Sequence, residues 1–183
     1  MNINQIVTLD YWMILPLFLL GSLLHFTYDW SKHNKFVAIF SAVNESYWEH
    51  IKIAFWPTFL LYLVEFILGG YKIGSFIPAK TIALYTIPVA MIAIVYGYKS
   101  ITKKNILALD IGAFLVVIAI AQLTGTLFLQ ELSASWLTIL WGIFFLIVIL
   151  ISFLNFTKYP PQEPDLFLDP LTSKYGIKGH GHE

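Results

Sequence analysis

Five long apolar runs divide the chain: Tyr11 to Tyr28, Tyr47 to Leu68, Phe76 to Tyr98, Ile106 to Phe128 and Trp136 to Phe156. Each has about the 20 residues an α-helix needs to cross a hydrocarbon core of roughly 30 Å. The pattern predicts an all-α fold, a polytopic membrane helix bundle with about five transmembrane helices. Pro16, Pro57 and Pro88 fall inside or near these runs. A lipid-embedded helix tolerates proline where neighbours satisfy the freed carbonyl, so they predict kinks rather than breaks. Tyr11, Trp12, Trp30, Tyr47, Trp48, Tyr96, Tyr98 and Trp136 sit at run ends, where an amphipathic ring suits the headgroup region.

The polar stretches between the runs set the organisation: residues 1–157 are expected to form the transmembrane domain and residues 158–183 a cytoplasmic Pro-rich tail. Between the first two runs, Phe36 to Val43 (FVAIFSAV) is apolar yet too short to span, and reads as an interfacial or re-entrant piece. Asn44 is expected to cap the second helix, with Glu45 in its first turn, where the helix dipole favours an acid. The tail carries Asp165, Asp169, His180 and His182 with too little apolar material to fold alone. Its Leu166-Phe167-Leu168 offers a docking element, whereas His180 and His182 are expected in a mobile end, with metal binding as the other reading.

Composition sharpens this picture. Hydrophobic residues make up 58% of the chain and charged residues 12%, against about a quarter charged in soluble domains. The eleven basic residues, all lysine, balance eleven acids, and no basic stripe interleaved with aromatics offers itself to nucleic acid. Cysteine is absent, which excludes disulfides, thiolate nucleophiles, iron–sulfur clusters and cysteine-rich zinc sites. Lys32, Lys35, Lys99, Lys103, Lys104, Lys158, Lys174 and Lys178 fall in one set of alternating segments, and Lys72 and Lys80 in the other. By the positive-inside rule the N-terminus is outside and the C-terminus cytoplasmic, as five spans require. The expected location is the cell inner (plasma) membrane, with lipid as surroundings and a second copy or another membrane protein as candidate partner.

Chemistry concentrates on the cytoplasmic side. His25, Asp29 and His33 are spaced i, i+4, i+8 and share one face if the first helix persists. Glu45, Glu49 and Lys52 share a stripe at the start of the second, with Ser46 and His50 adjoining, and Asp110 lies near the start of the fourth. In the expected topology His25, Asp29, Glu45, Glu49, His50 and Asp110 lie at similar depth. Neutral imidazole and carboxylate are ligands for zinc, manganese or iron. His25, Asp29 and His50 are therefore the candidate metal ligands, for a divalent ion such as zinc, and Glu45, Glu49 and Asp110 the candidate acid/base groups. Each residue also has a plain structural reading: Glu45 and Glu49 as a first-turn acidic pair with Lys52 as i+3 partner, His25 as an interfacial imidazole bonding Asp29, and Asp110 as a solvated helix-end acid. Glu65 is expected to face the outer surface, and Gln122, Thr124 and Thr126 to act as interhelical hydrogen-bonding groups.

The stretches His25-Phe-x-Tyr-Asp-Trp, Val43-Asn-Glu-Ser-x-Trp-Glu-His50 and Asp169-Pro-Leu-Thr-x-x-Tyr-Gly176 resemble a family of small bacterial multi-pass membrane proteins known only as a domain of unknown function. The resemblance covers nearly the whole chain. It implies the same architecture, a tail that belongs with the core, and no catalytic role. There is also a slighter similarity to the alkaline-ceramidase-like intramembrane hydrolases, but this chain lacks their paired histidines late in the sequence, so no residue is carried over.

Three functional expectations follow: a metal-dependent membrane enzyme, hydrolase-like and acting on a lipid or amphipathic substrate; a small proton- or cation-coupled transporter or channel component using Glu45, Glu49 and Asp110; and a non-catalytic accessory subunit whose tail recruits a partner.

Overall fold

The computed structural model describes residues 1–104, 106–163 and 165–180. Five helices dominate: α1 (Ile3–Trp30), α2 (Tyr47–Ile67), α3 (Phe76–Thr102), α4 (Leu107–Glu131) and α5 (Trp136–Lys158). All five are long and apolar enough to cross a membrane, and no strand occurs among the described residues beyond an isolated Leu168–Tyr175 bridge. Pro16, Pro57 and Pro88 lie inside helices that continue through them.

Helix α1 begins well before the first apolar run, because Asn2 and Gln5 close a capping box, each side chain accepting from the other's backbone N–H at 2.9 Å. Asp10 is thus carried into the helix interior. At the start of α2, Asn44 is not the cap: Ser46 holds that position, and Asn44 Oδ1 accepts the Ser46 N–H at 2.9 Å in an Asx turn. Glu45 consequently lies before the helix rather than in its first turn. The Phe36–Val43 segment forms one short 3-10 turn, Val37–Ile39, with Ala38, Ala42 and Val43 buried.

Helices α1, α2, α3 and α4 form a ring of successive neighbours, and α5 packs against α3. Phe153 of α5 also stacks on Trp48 and Phe55 of α2, with ring centroids 4.7 and 4.2 Å apart. Helix α2 is the most buried of the five and α5 the least. Gly21 lets three helices meet: a Cβ there would lie 2.7 Å from Phe114 of α4 and 2.8 Å from the Ile53 carbonyl of α2, the close approach that small residues permit between apolar helices. Outward faces carry large apolar side chains, among them Trp12, Leu19, Leu60, Val89, Leu123, Phe144 and Ile151. A soluble monomer rarely exposes so much contiguous apolar surface, whereas lipid accommodates it.

The tail folds back onto one end of the bundle. Phe167 packs against Trp48 and Phe156, and Asp169, almost wholly buried, accepts from the backbone N–H groups of Thr172 at 2.9 Å and Glu45 at 3.3 Å. His180 is anchored as well, contrary to the mobile end expected for it, because its ring bonds the Val43 carbonyl and meets the Tyr28 ring edge-on. His182 lies outside the described residues.

Candidate functional site

His25, Glu45 and His50 converge. Each offers one ligand atom, and these atoms all lie within 4.8 Å of one another. His25 Nε2 is 3.4 Å from Glu45 Oε1, and His50 Nε2 is 3.9 Å from Glu45 Oε2. The helices set this arrangement: His25 stands five residues before the end of α1, His50 lies in the first turn of α2, and the two rings face each other with centroids 5.4 Å apart. Glu45 reaches between them from the linker, its backbone held by Asp169 of the tail.

The ring nitrogens of His50 have distinct roles. Nδ1 lies 2.9 Å from the carbonyl oxygen of Ser46, and a carbonyl only accepts, so Nδ1 carries a proton. In neutral His50 the lone pair is therefore on Nε2, aimed at a carboxylate. A lone pair facing a carboxylate is unfavourable unless a proton or a metal cation lies between, and an Nδ1–H bonded to a backbone carbonyl is the usual support of an Nε2 metal ligand. Tetrahedral zinc with bonds near 2.05 Å separates its ligand atoms by about 3.3 Å. The His25–Glu45 spacing matches that edge, and the His50–Glu45 spacing exceeds it by about half an ångström. Donation from the His25 imidazole holds the Glu45 carboxyl below its usual range, against burial, which pushes it up; the charges of His25 and His50 add to the lowering.

Asp110 shares the surroundings. It lines, with Glu45, His50 and Leu107, two cavities on either side of the cluster. The larger, of about 520 Å³, runs between α1 and α4 along Phe18, Phe26, Ile111 and Phe114. Phe26, Leu107 and Ile111 at its rim are exposed, so the cleft opens on the apolar flank of the bundle. The smaller, of about 310 Å³, is closed at one side by Pro170 and Leu171 of the tail. Tyr98 donates its hydroxyl to Asp110 Oδ1.

The other expected members go elsewhere. Asp29 stays on the same face of α1 as His25 but pairs with His33 and His180, at 3.4 and 2.8 Å from Oδ1, because the chain reverses just beyond the helix and brings those rings to it. Glu49 is committed to a buried ion pair: Lys52 Nζ is 2.5 Å from Oε2, which also accepts the Val43 N–H at 3.0 Å. With both its partners buried, Glu49 lies behind the cleft rather than in it. The i+3 pair with Lys52 from its structural reading is formed.

Glu65 does not face the outer surface. It is buried beside Lys80, 2.9 Å away, and Lys80 also donates to both oxygens of Asp10 at 2.7 and 2.6 Å. The Lys80 ammonium sits 4.2 Å from the Tyr62 ring centroid. Three helices are joined here at the end of the bundle opposite the candidate site. A glutamate and a lysine inside apolar runs, Glu65 and Lys80, were its signals in the sequence. Gln122 accepts from Tyr62 at 3.0 Å, linking α2 to α4.

Five helices long and apolar enough to cross a membrane, with a histidine–carboxylate cluster at the end of an apolar cleft, define a multi-pass helical membrane protein. The chain belongs to the family described as "Family of unknown function (DUF6512)", whose model matches residues 1–177. No curated protein and no solved structure matches it.

Proposed function

We propose that the protein is a metal-dependent membrane hydrolase acting on an amphipathic, lipid-like substrate. His25, His50 and Glu45 hold the ion, and Asp110 serves as general base. The observation that carries this reading is the Nε2 of His50, oriented by the Ser46 carbonyl toward Glu45 and His25 where the apolar cleft ends. A divalent ion held by three protein ligands supplies an acidified water and polarises a carbonyl or phosphoryl oxygen. The apolar walls between α1 and α4 fit an acyl chain entering sideways from lipid, which sets the polar linkage beside Asp110. Asp110 takes the proton of the attacking water and returns it to the leaving oxygen or nitrogen, the bond to which breaks as the water oxygen bonds to the electrophilic centre. Glu45, read from the sequence as an acid/base group, is better placed as a ligand because it lies between the two imidazoles.

The lysine bias supports a cytoplasmic location for this end and an inner-membrane setting, and the burial of Lys80 strengthens that bias, leaving Lys72 as the solvent-facing lysine of the opposite loops. The test is zinc content and hydrolysis of short-chain phospholipid, ceramide and acyl-ester probes by the purified full chain. H25A and H50A should each lose one bound ion, and D110N should keep the ion and lose turnover. A parent protein that binds no ion at the His25–His50 cluster sinks the reading.

One observation favours cation-coupled transport as a second reading: a buried ionic cluster stands at each end of the bundle. Along α1 and α2 between them, Leu17, Ala54, Phe55 and Thr58 are fully buried, so passage would require the helices to part. Carboxylate-dependent proton or cation flux in proteoliposomes decides it.

A further inference from the structure

We propose that Asp29, His33 and His180 form a second, separate metal site, suited to zinc, that clamps the tail across the end of α1. It does not depend on the hydrolase reading, since the first site shares none of these residues.

The three ligands come from three places in the chain: the last turn of α1, the reversal just after it, and the tail. Their candidate ligand atoms form a small triangle. His180 Nε2 is 2.9 Å from His33 Nε2 and 2.8 Å from Asp29 Oδ1, and His33 Nε2 is 3.4 Å from the same oxygen. Tetrahedral zinc needs edges of about 3.3 Å, within about half an ångström of the present spacing. Two imidazoles and a carboxylate also match zinc in type.

Hydrogen bonding alone accounts poorly for this triangle. His180 Nδ1 lies 3.0 Å from the Val43 carbonyl and must donate to it, so Nε2 is the end that meets both His33 and Asp29. An imidazole nitrogen has one in-plane position, for one proton or one lone pair. That position serves one of the two neighbours and leaves the other facing it without a bridging hydrogen. A cation inside the triangle engages all three at once, with Nδ1–H on a backbone carbonyl orienting the ring as second-sphere partners do.

The backbone is arranged for the same end. Lys32 and His33 both adopt left-handed conformations, φ 55° and 61°, which non-glycine residues seldom do in succession. The Lys32 N–H donates to the Asp29 carbonyl at 2.9 Å and the His33 N–H to Tyr28 at 3.0 Å, folding His33 back over Asp29. Asp29 and His33 are exposed, so an ion can arrive from solution and water can complete its shell.

The clamp bears on the first site through the chain between them. Val43, which accepts from His180, is followed by Asn44, bonded to Gly176 at 2.9 Å, and by Glu45, whose N–H reaches Asp169. Fastening His180 therefore fixes the segment that aims Glu45.

Full-length protein in detergent, freed of any polyhistidine tag and stripped with chelator, is titrated with zinc while hydrogen exchange of residues 165–180 is followed. The parent should gain at least tenfold slower exchange in the tail on adding zinc, and H33A and H180A should each lose one zinc equivalent and that gain. H25A should keep both, whatever happens to the first site. H180C should retain zinc binding, since a thiolate ligates zinc but cannot reproduce an imidazole hydrogen bond. H33A lies outside every helix, and unchanged thermal unfolding without zinc shows that it folds. Equal zinc binding and tail protection in parent, H33A and H180A would overturn the proposal, as would a tail whose exchange is indifferent to zinc.

Discussion

Asn44 Nδ2 donates to the carbonyl of Gly176 at 2.9 Å across 132 residues of sequence, tying the linker that carries Glu45 to the returning tail. Gly176 has φ +57°, and a Cβ there would come within 2.9 Å of the Pro160 ring. Gly176→Ala therefore meets both a left-handed backbone, costing about 1 kcal/mol for an L-residue, and a steric contact. Exchange in residues 165–180 should accelerate in this variant while the helices remain protected. Unchanged tail exchange would show that the Asn44–Gly176 bond is incidental.

Lys80 holds two buried carboxylates, so Lys80→Met leaves Asp10 and Glu65 without their ammonium. Removing one partner of a buried ion pair typically costs about 3–5 kcal/mol, and thermal unfolding in detergent should register a loss of that order. The triple variant D10N/E65Q/K80M should recover much of it. No recovery would mean that packing around Lys80, rather than charge, supplies the stability.

Glu49→Gln separates a structural acid from a functional one. The substitution leaves Lys52, fully buried and donating to the Ala38 carbonyl at 2.8 Å, without its counter-ion, so stability should fall by several kcal/mol. Zinc stoichiometry should not change, because Glu49 lies behind the cleft. Loss of a zinc equivalent in folded E49Q would return Glu49 to the ligand set.

Protons should compete with metal at both histidine sites. A ligand imidazole must be deprotonated, so zinc affinity should fall as pH is lowered, by up to about tenfold per histidine for each pH unit over which the metal must displace its proton. Glu45 acts lower on the scale: its folded-state pKa is depressed, so its contribution to stability is complete above the ordinary value near 4.5 and fades as pH falls through the folded value. Zinc titrations at pH 7.5 and 5.5 should differ steeply. Equal affinity at the two pH values would exclude histidine ligation.

Lys103 ends α3 in the left-handed region, φ 57°, and is exposed. Lys103→Gly should relieve that conformation and stabilise the protein by a few tenths of a kcal/mol to about 1 kcal/mol, read as a higher unfolding temperature. A lower one would point to a contact made by the lysine side chain.

The sequence by itself determined the five helices and the end of the bundle where histidines and acids gather. An apolar run long enough to span leaves the backbone no alternative to satisfying its own hydrogen bonds, so hydropathy is a local signal that survives folding. Partner choice is not local. Asp29 and His25 share a helical face, yet the reversal at Lys32 and His33 brings His33 over Asp29 and the tail brings His180 to it, while His25 pairs with Glu45. Asp10, Glu65 and Lys80 come from three separate helices, and only the rotation of each helix within the bundle aims them at one another. The tail has too few apolar residues to fold alone, and it gains order from surfaces that exist only once Trp48, Phe156 and the Val43–Glu45 linker are in place. Side chains far apart in sequence meet through packing, so tertiary structure decided which of the clustered groups face one another.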